Sequence, residues 1–67
     1  MAKSFEIIER VGISNESASE AIKSVILEAN KEKSVSWFEV LEQRGRVTAE
    51  DEIEFQVTVK LGRRVND

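Results

Sequence analysis

The sequence predicts an α+β fold in the order β-α-β-β, a three-stranded antiparallel sheet with one amphipathic helix packed on one face. Three observations carry this. Residues 53–61 alternate strictly between apolar and polar, residues 14–33 place apolar residues at helical spacing, and only "TAEDE" separates the last two strand-like runs. So short a connection suits an antiparallel hairpin, and a helix can cover one side of three strands.

The first strand is expected in "SFEIIERV", residues 4–11, with Phe5, Ile7 and Val11 on one face and Ile8 on the other; Gly12 is read as its end. In "SNESASEAIKSVILEANKEK", Ala18, Ala21, Ile22, Val25, Ile26 and Ala29 line one helical stripe. Ser14 is a candidate N-cap, and Ser17 with Glu20 offers an alternative capping box. Strands over Val35–Val47 and Ile53–Leu61 follow. In the last, Ile53, Phe55, Val57, Val59 and Leu61 share the face expected under the helix, together with Phe38 and Val40. Trp37, Leu41 and Gln43 then share the uncovered face with Gln56, Thr58 and Lys60, provided no bulge shifts the register.

Sixty-seven residues, 1–67, make a single small domain near the lower limit for an independent core. The chain has no cysteine and no histidine, so disulfides and the common zinc sites are excluded, and the remaining staple is other copies of itself. A net charge of −3 with interspersed signs disfavours unspecific binding to nucleic acid or anionic membrane. No apolar run reaches the ~18 residues of a membrane span, and "MAKSFEIIER" is unlike a signal peptide, so a cytoplasmic protein is expected.

The sole tryptophan, Trp37, stands on the face that the helix leaves bare. It admits three roles: core residue, anchor of a subunit interface, or stacking platform for a flat aromatic ligand. Gln56 carries a donor and an acceptor, which suits one edge of a heterocycle, although a polar residue in mid-strand is more often simply solvated. The two lie well apart along one hairpin, so a site using both forms most easily between protomers. Arg44, Arg46, Arg63 and Arg64 are expected on rims, as ordinary surface charge individually and as a phosphate-binding group collectively. The run Glu50, Asp51, Glu52 and Glu54 lacks the ligand order of a calcium loop and reads as a solvated turn. With no nucleophile–base pair and no glycine-rich phosphate loop, an enzyme is the weakest class.

The blocks "VGIS", "SEAI", "WFEV", "RGRV" and "FQVTVKLGRRV" together make the chain resemble the dodecins over nearly its whole length. The resemblance implies a hollow homododecamer with helices outside and sheets lining the interior. It also implies flavins, riboflavin or FMN, bound in pairs between neighbouring subunits and stored or sequestered without turnover. Residue by residue, Trp37 matches the flavin-stacking tryptophan and Gln56 the glutamine on the isoalloxazine edge. Arg44 and Arg64 match arginines near the phosphate-bearing ends of FMN or coenzyme A, a further candidate ligand. Two positions depart from the family pattern: Arg63 replaces the aromatic of "GFR" and Ile13 the threonine of "GTS". A purely structural cage, or a single-strand nucleic-acid binder using Trp37 and the arginines, are the rival readings.

Overall fold

The computed structural model describes residues 4–65. Strand β1 (Phe5–Ser14), helix α1 (Ala18–Glu32), strand β2 (Trp37–Val47) and strand β3 (Ile53–Arg64) follow in the expected order. The sheet is antiparallel throughout, with β3 between β1 and β2. The strand with the cleanest alternation therefore takes the centre, where both its edges are paired. Its odd residues Val57, Val59 and Leu61 are fully buried beneath the helix. Among the described residues no helix is long and apolar enough to cross a membrane.

Gly12 does not end β1. The strand runs on to Ser14, with Gly12 opposite Val57. A Cβ at Gly12 would collide with the carbonyl oxygen of Ala21 and lie 3.1 Å from Val25 Cβ, so the glycine instead lets the helix approach the sheet. Small residues answer on the helix: Ala21, Val25 and Ala29 are buried, with Ala18, Ile22 and Ile26 packed around them. Of the two candidate caps Ser17 serves, its Oγ accepting the Glu20 N–H at 3.0 Å, while Ser14 closes β1 and accepts the Glu16 N–H. At the other end the Lys33 N–H donates to the Ala29 carbonyl at 3.2 Å.

The helix lies chiefly over β1 and β3 and barely touches β2. Phe38, expected in the core, is consequently 51% exposed, while Val40 is half-buried against the core. The pairing of β2 with β3 also slips: Val40 faces Val59 but Glu42 faces Thr58, which leaves Leu41 as an extra residue. A bulge reverses the parity of everything after it. Gln43 therefore lies on the helix side opposite Val57, and Glu42, Arg44 and Arg46 take the open face opposite Thr58, Gln56 and Glu54. Trp37 and Glu39, before the bulge, keep the expected open side. The hairpin tip is closed by Thr48, whose N–H donates to the Glu52 carbonyl at 2.7 Å and whose Oγ1 accepts the Glu50 and Glu52 N–H groups. Glu50, Asp51 and Glu52 are exposed there.

Gly12→Ala should lower stability by about 1–3 kcal/mol, the usual cost of overpacking, because the obstacle is helix backbone that cannot rotate away. Urea unfolding at fixed protein concentration measures it, and an unchanged midpoint would show that the helix contact is looser than described.

Candidate functional site

Trp37 opens β2 directly opposite Gly62 of the central strand. A Cβ at residue 62 would fall within the indole, 2.5 Å from Nε1 and closer still to the ring carbons Cε2 and Cζ2. The ring thus lies over bare backbone. It reaches across β3 toward Phe5 of β1, the two ring centroids being 6.4 Å apart at an interplanar angle of 58°. Trp37 remains 38% exposed. Phe5, Ile7, Val11 and Ile13 continue the same open face along β1, all of them exposed. Arg64, paired with Phe5, stands at this end of the face and is exposed.

A second cluster lies at the far end of the same face. Arg44 is paired with Gln56 and Arg46 with Glu54. Glu54 Oε1 accepts from Arg46 Nε and from Gln56 Nε2, each at 2.9 Å. Arg46 first and Gln56 second hold the Glu54 carboxyl below its usual pKa, and Arg46 is raised in return. Arg46 is thereby engaged. Arg44 has only a loose contact with Glu42, at 3.9 Å between two exposed side chains, and is the freer cation. Lys60 and Glu39, 3.3 Å apart, separate the two clusters.

Of the four expected site residues, then, the fold brings Arg44 to Gln56 and places Arg64 near Trp37. The pairs stay apart: Gln56 lies six positions along β3 from Gly62, about 20 Å at the rise of a strand. The bulge at Leu41 and the indole's seat on Gly62 are not evident in apolar patterning; a glycine inside a strand is the one sequence signal that some group approaches closely there.

Arg63 is not on a rim. Side chains alternate along a strand, so Arg64 takes the open face and Arg63 the helix side, where it is 7% exposed. Its Nη2 donates to the Ala29 carbonyl at 2.8 Å and lies 3.5 Å from Glu32 Oε1. Glu32 also receives a two-pronged contact from Arg10, at 2.9 and 2.6 Å. Two cations thus close the C-terminal end of α1 through one carboxylate.

The family model for dodecin matches residues 5–66. The chain belongs to the dodecin family. A dodecin of Thermus thermophilus is 34% identical over 68 residues, an overlap spanning 100% of this chain and 99% of the relative. A solved Thermus thermophilus structure superposes with a TM-score of 0.87 at 33% identity, over 98% of each chain. The dodecin from Streptomyces davaonensis does so with a TM-score of 0.88 at 31% identity, over 100% of both. The Thermus dodecin has also been solved as variants in which a tryptophan is replaced by phenylalanine and each of two arginines by alanine. Three antiparallel strands under one helix are therefore the dodecin fold, and this dodecin carries it with a buried arginine beneath the helix end.

Two outcomes follow from these contacts. Gly62→Ala should unseat the indole, shifting tryptophan emission to the red and weakening the near-ultraviolet circular dichroism; unchanged spectra would mean that the ring does not rest on residue 62. For Glu32, hydrogen bonding from Arg10, with Arg63 adding to it, holds the carboxyl below its usual range. A pKa lowered by folding contributes stability above the unfolded value of about 4.3, and that contribution is lost as pH falls through the lower native value. The stability difference between the unaltered chain and Glu32→Gln should accordingly be largest near neutrality and shrink on acidification. A difference independent of pH would assign these contacts no ionic contribution.

Proposed function

We propose that this dodecin is a non-enzymatic flavin-binding protein that stores or sequesters riboflavin or FMN. The isoalloxazine stacks on Trp37 within a homo-oligomer of the dodecameric kind, in the cytoplasm. The observation that carries the reading is the indole seated on Gly62. A flat ring held against backbone, still 38% exposed, is a prepared surface for a second flat ring.

The remaining residues fit such a ligand. An amide such as Gln56 matches a heterocycle edge that both donates and accepts, and the freer guanidinium of Arg44 beside it suits the phosphate of FMN. A separation of about 20 Å along the strand exceeds the reach of one tricycle. The tryptophan end of one copy and the glutamine end of another therefore make the site together. The residues replaced in the Thermus variants are spaced along that chain as Trp37, Arg44 and Arg64 are along this one. For coenzyme A, the second candidate ligand, Arg44 and Arg64 are the available cations, since Arg63 is committed beneath the helix. None of these groups exchanges protons or forms covalent intermediates readily at neutral pH, which favours binding over turnover.

A structural cage is the second reading, favoured by the exposed row Phe5, Ile7, Val11 and Ile13, which any association would cover. Titration of riboflavin and FMN followed by flavin fluorescence, with mass measured in parallel, separates the two. The flavin reading expects strong quenching by the unaltered chain and an affinity at least about tenfold weaker in Trp37→Ala, the oligomer remaining intact. Arg44→Ala should weaken FMN but not riboflavin. Quenching that persists in Trp37→Ala overturns the stacking role, no binding of either flavin overturns the function, and an oligomer that dissociates in Trp37→Ala supports the cage.

A further inference from the structure

An amide that is free to turn over can offer either its oxygen or its nitrogen to the same point. Gln56 is not free. It stands two residues from Glu54 on β3 and therefore on the same open face. Gln56 Nε2 donates to Glu54 Oε1 at 2.9 Å, and Arg46 Nε donates to that same oxygen at 2.9 Å. An ionised carboxylate only accepts, so the amide turns its nitrogen to Glu54 and its oxygen away. Arg46 first and Gln56 second hold the carboxyl below its usual pKa, which keeps it an acceptor throughout the neutral range. The contact is also sheltered, the Glu54 side chain being 22% exposed and Gln56 half-buried. Across the sheet Gln56 faces Arg44 and Ile13. Arg44 carries donors alone and Ile13 has no polar group, so neither competes for the amide N–H. Glu42, the other carboxylate on this part of the face, lies opposite Thr58 and makes its contact with Arg44.

We propose that Glu54, fixed in turn by Arg46, is a positioning residue that sets which way Gln56 faces, so that the site selects rings with an N–H between two carbonyls, a cyclic imide edge. This rests on the flavin reading given above and deepens it, since isoalloxazine carries such an edge. Gln56 Oε1 accepts the imide N–H, and the amide N–H that Glu54 leaves over donates to a flanking carbonyl. A ring with a bare acceptor nitrogen or an alkyl group at that place leaves the amide oxygen without a donor, and an enclosed acceptor left unpaired is costly. The two neighbouring arginines thereby divide the work. Arg46 fixes the carboxylate that orients the amide, and Arg44, held only loosely by Glu42, is left for a charged tail.

Riboflavin and its N3-methyl derivative, titrated by flavin fluorescence, test the assignment. The unaltered chain should favour riboflavin about tenfold beyond the part due to methyl bulk, which Gln56→Ala measures. The deciding variant exchanges the charges, Arg46→Glu with Glu54→Lys. It keeps an ion pair at the same two positions, but an ammonium only donates, so Gln56 turns its oxygen inward and presents N–H groups to the ligand. The extra preference should then fall to about twofold or less, with circular dichroism and mass unchanged. A merely structural pair would be restored by the exchange, so a preference that survives it overturns the positioning role. Glu54→Ala, which removes the acceptor alone, keeps the test readable if the exchanged pair misfolds: it should lower the preference likewise, and a full preference there also overturns the proposal. A preference in the unaltered chain no greater than in Gln56→Ala overturns the assigned polarity. An unaltered chain that binds no riboflavin would instead overturn the flavin reading beneath it.

Discussion

One extra residue in β2 decides what each face of this molecule can do. Leu41 has no partner on β3, and every residue after it changes sides. In an unbroken register Glu42 would stand on the helix side opposite the buried Val57 and Arg44 opposite the half-buried Phe55, where desolvated charges are costly, and the polar Gln43 would share the face of Trp37. With the bulge, Gly45 and Val47 take the helix side, and both arginines join Gln56 and Glu54 in the open. The strand satisfies two demands that a strict alternation of its sequence cannot. Its first part presents an aromatic ring outward and its last part presents charge outward, while the helix side receives Phe38 and Val40 from the first and the uncharged Gln43, Gly45 and Val47 from the last.

Close approach is the second constraint, and two glycines serve it on opposite faces. Gly12 admits the backbone of α1 on one side of the sheet, and Gly62 admits the indole on the other. The consequences differ. At Gly12 the gain is core density, because Ala21 and Val25 reach β1 and β3 without a gap. At Gly62 the gain is position: a tryptophan that would otherwise choose among rotamers is held close over the central strand with Phe5 beside it. Side-chain entropy that a free ring would lose on meeting a ligand has already been lost on folding.

Most of the fold was legible because periodicity reports it directly. The helical stripe of Ala21, Val25 and Ala29 and the alternation of Val57, Val59 and Leu61 each emerge in the element and on the face that their spacing implies. What was illegible depends on relations between elements. Whether Gly12 ends a strand or accepts a helix is decided by where Ala21 arrives, and whether Phe38 is core is decided by which two strands the helix lies across. For the candidate site, the separation of Trp37 from Gln56 follows from counting along the hairpin, whereas the pairing of Arg44 with Gln56 requires the bulge. Arg63 and Arg64 are indistinguishable as a dipeptide. The extension of β3 to Arg64 sends Arg63 to the helix side, where the end of α1 makes it a buried partner of Ala29 and Glu32, and leaves Arg64 exposed on the open face.

The open face is divided lengthwise, and the division bears on how the proposed association and ligand binding would coexist. Along β1 it is almost wholly apolar, with Phe5, Ile7, Val11 and Ile13; along β2 after the bulge it is Glu42, Arg44 and Arg46. Apolar edges gain by meeting one another, roughly 25 cal/mol per Å² removed from water, whereas the charged strip loses by being buried without partners. Copies that associate through this face therefore favour contact along their β1 edges and leave the β2 strips facing a wetter space. Trp37 is the exception that joins the halves, since it starts from β2 yet leans over Gly62 to the apolar edge. A ligand with a flat apolar body and a charged tail matches that boundary better than either strip alone. Under the proposed function, the same asymmetry that would draw copies together would leave the boundary, and not the middle of the interface, as the place for a guest.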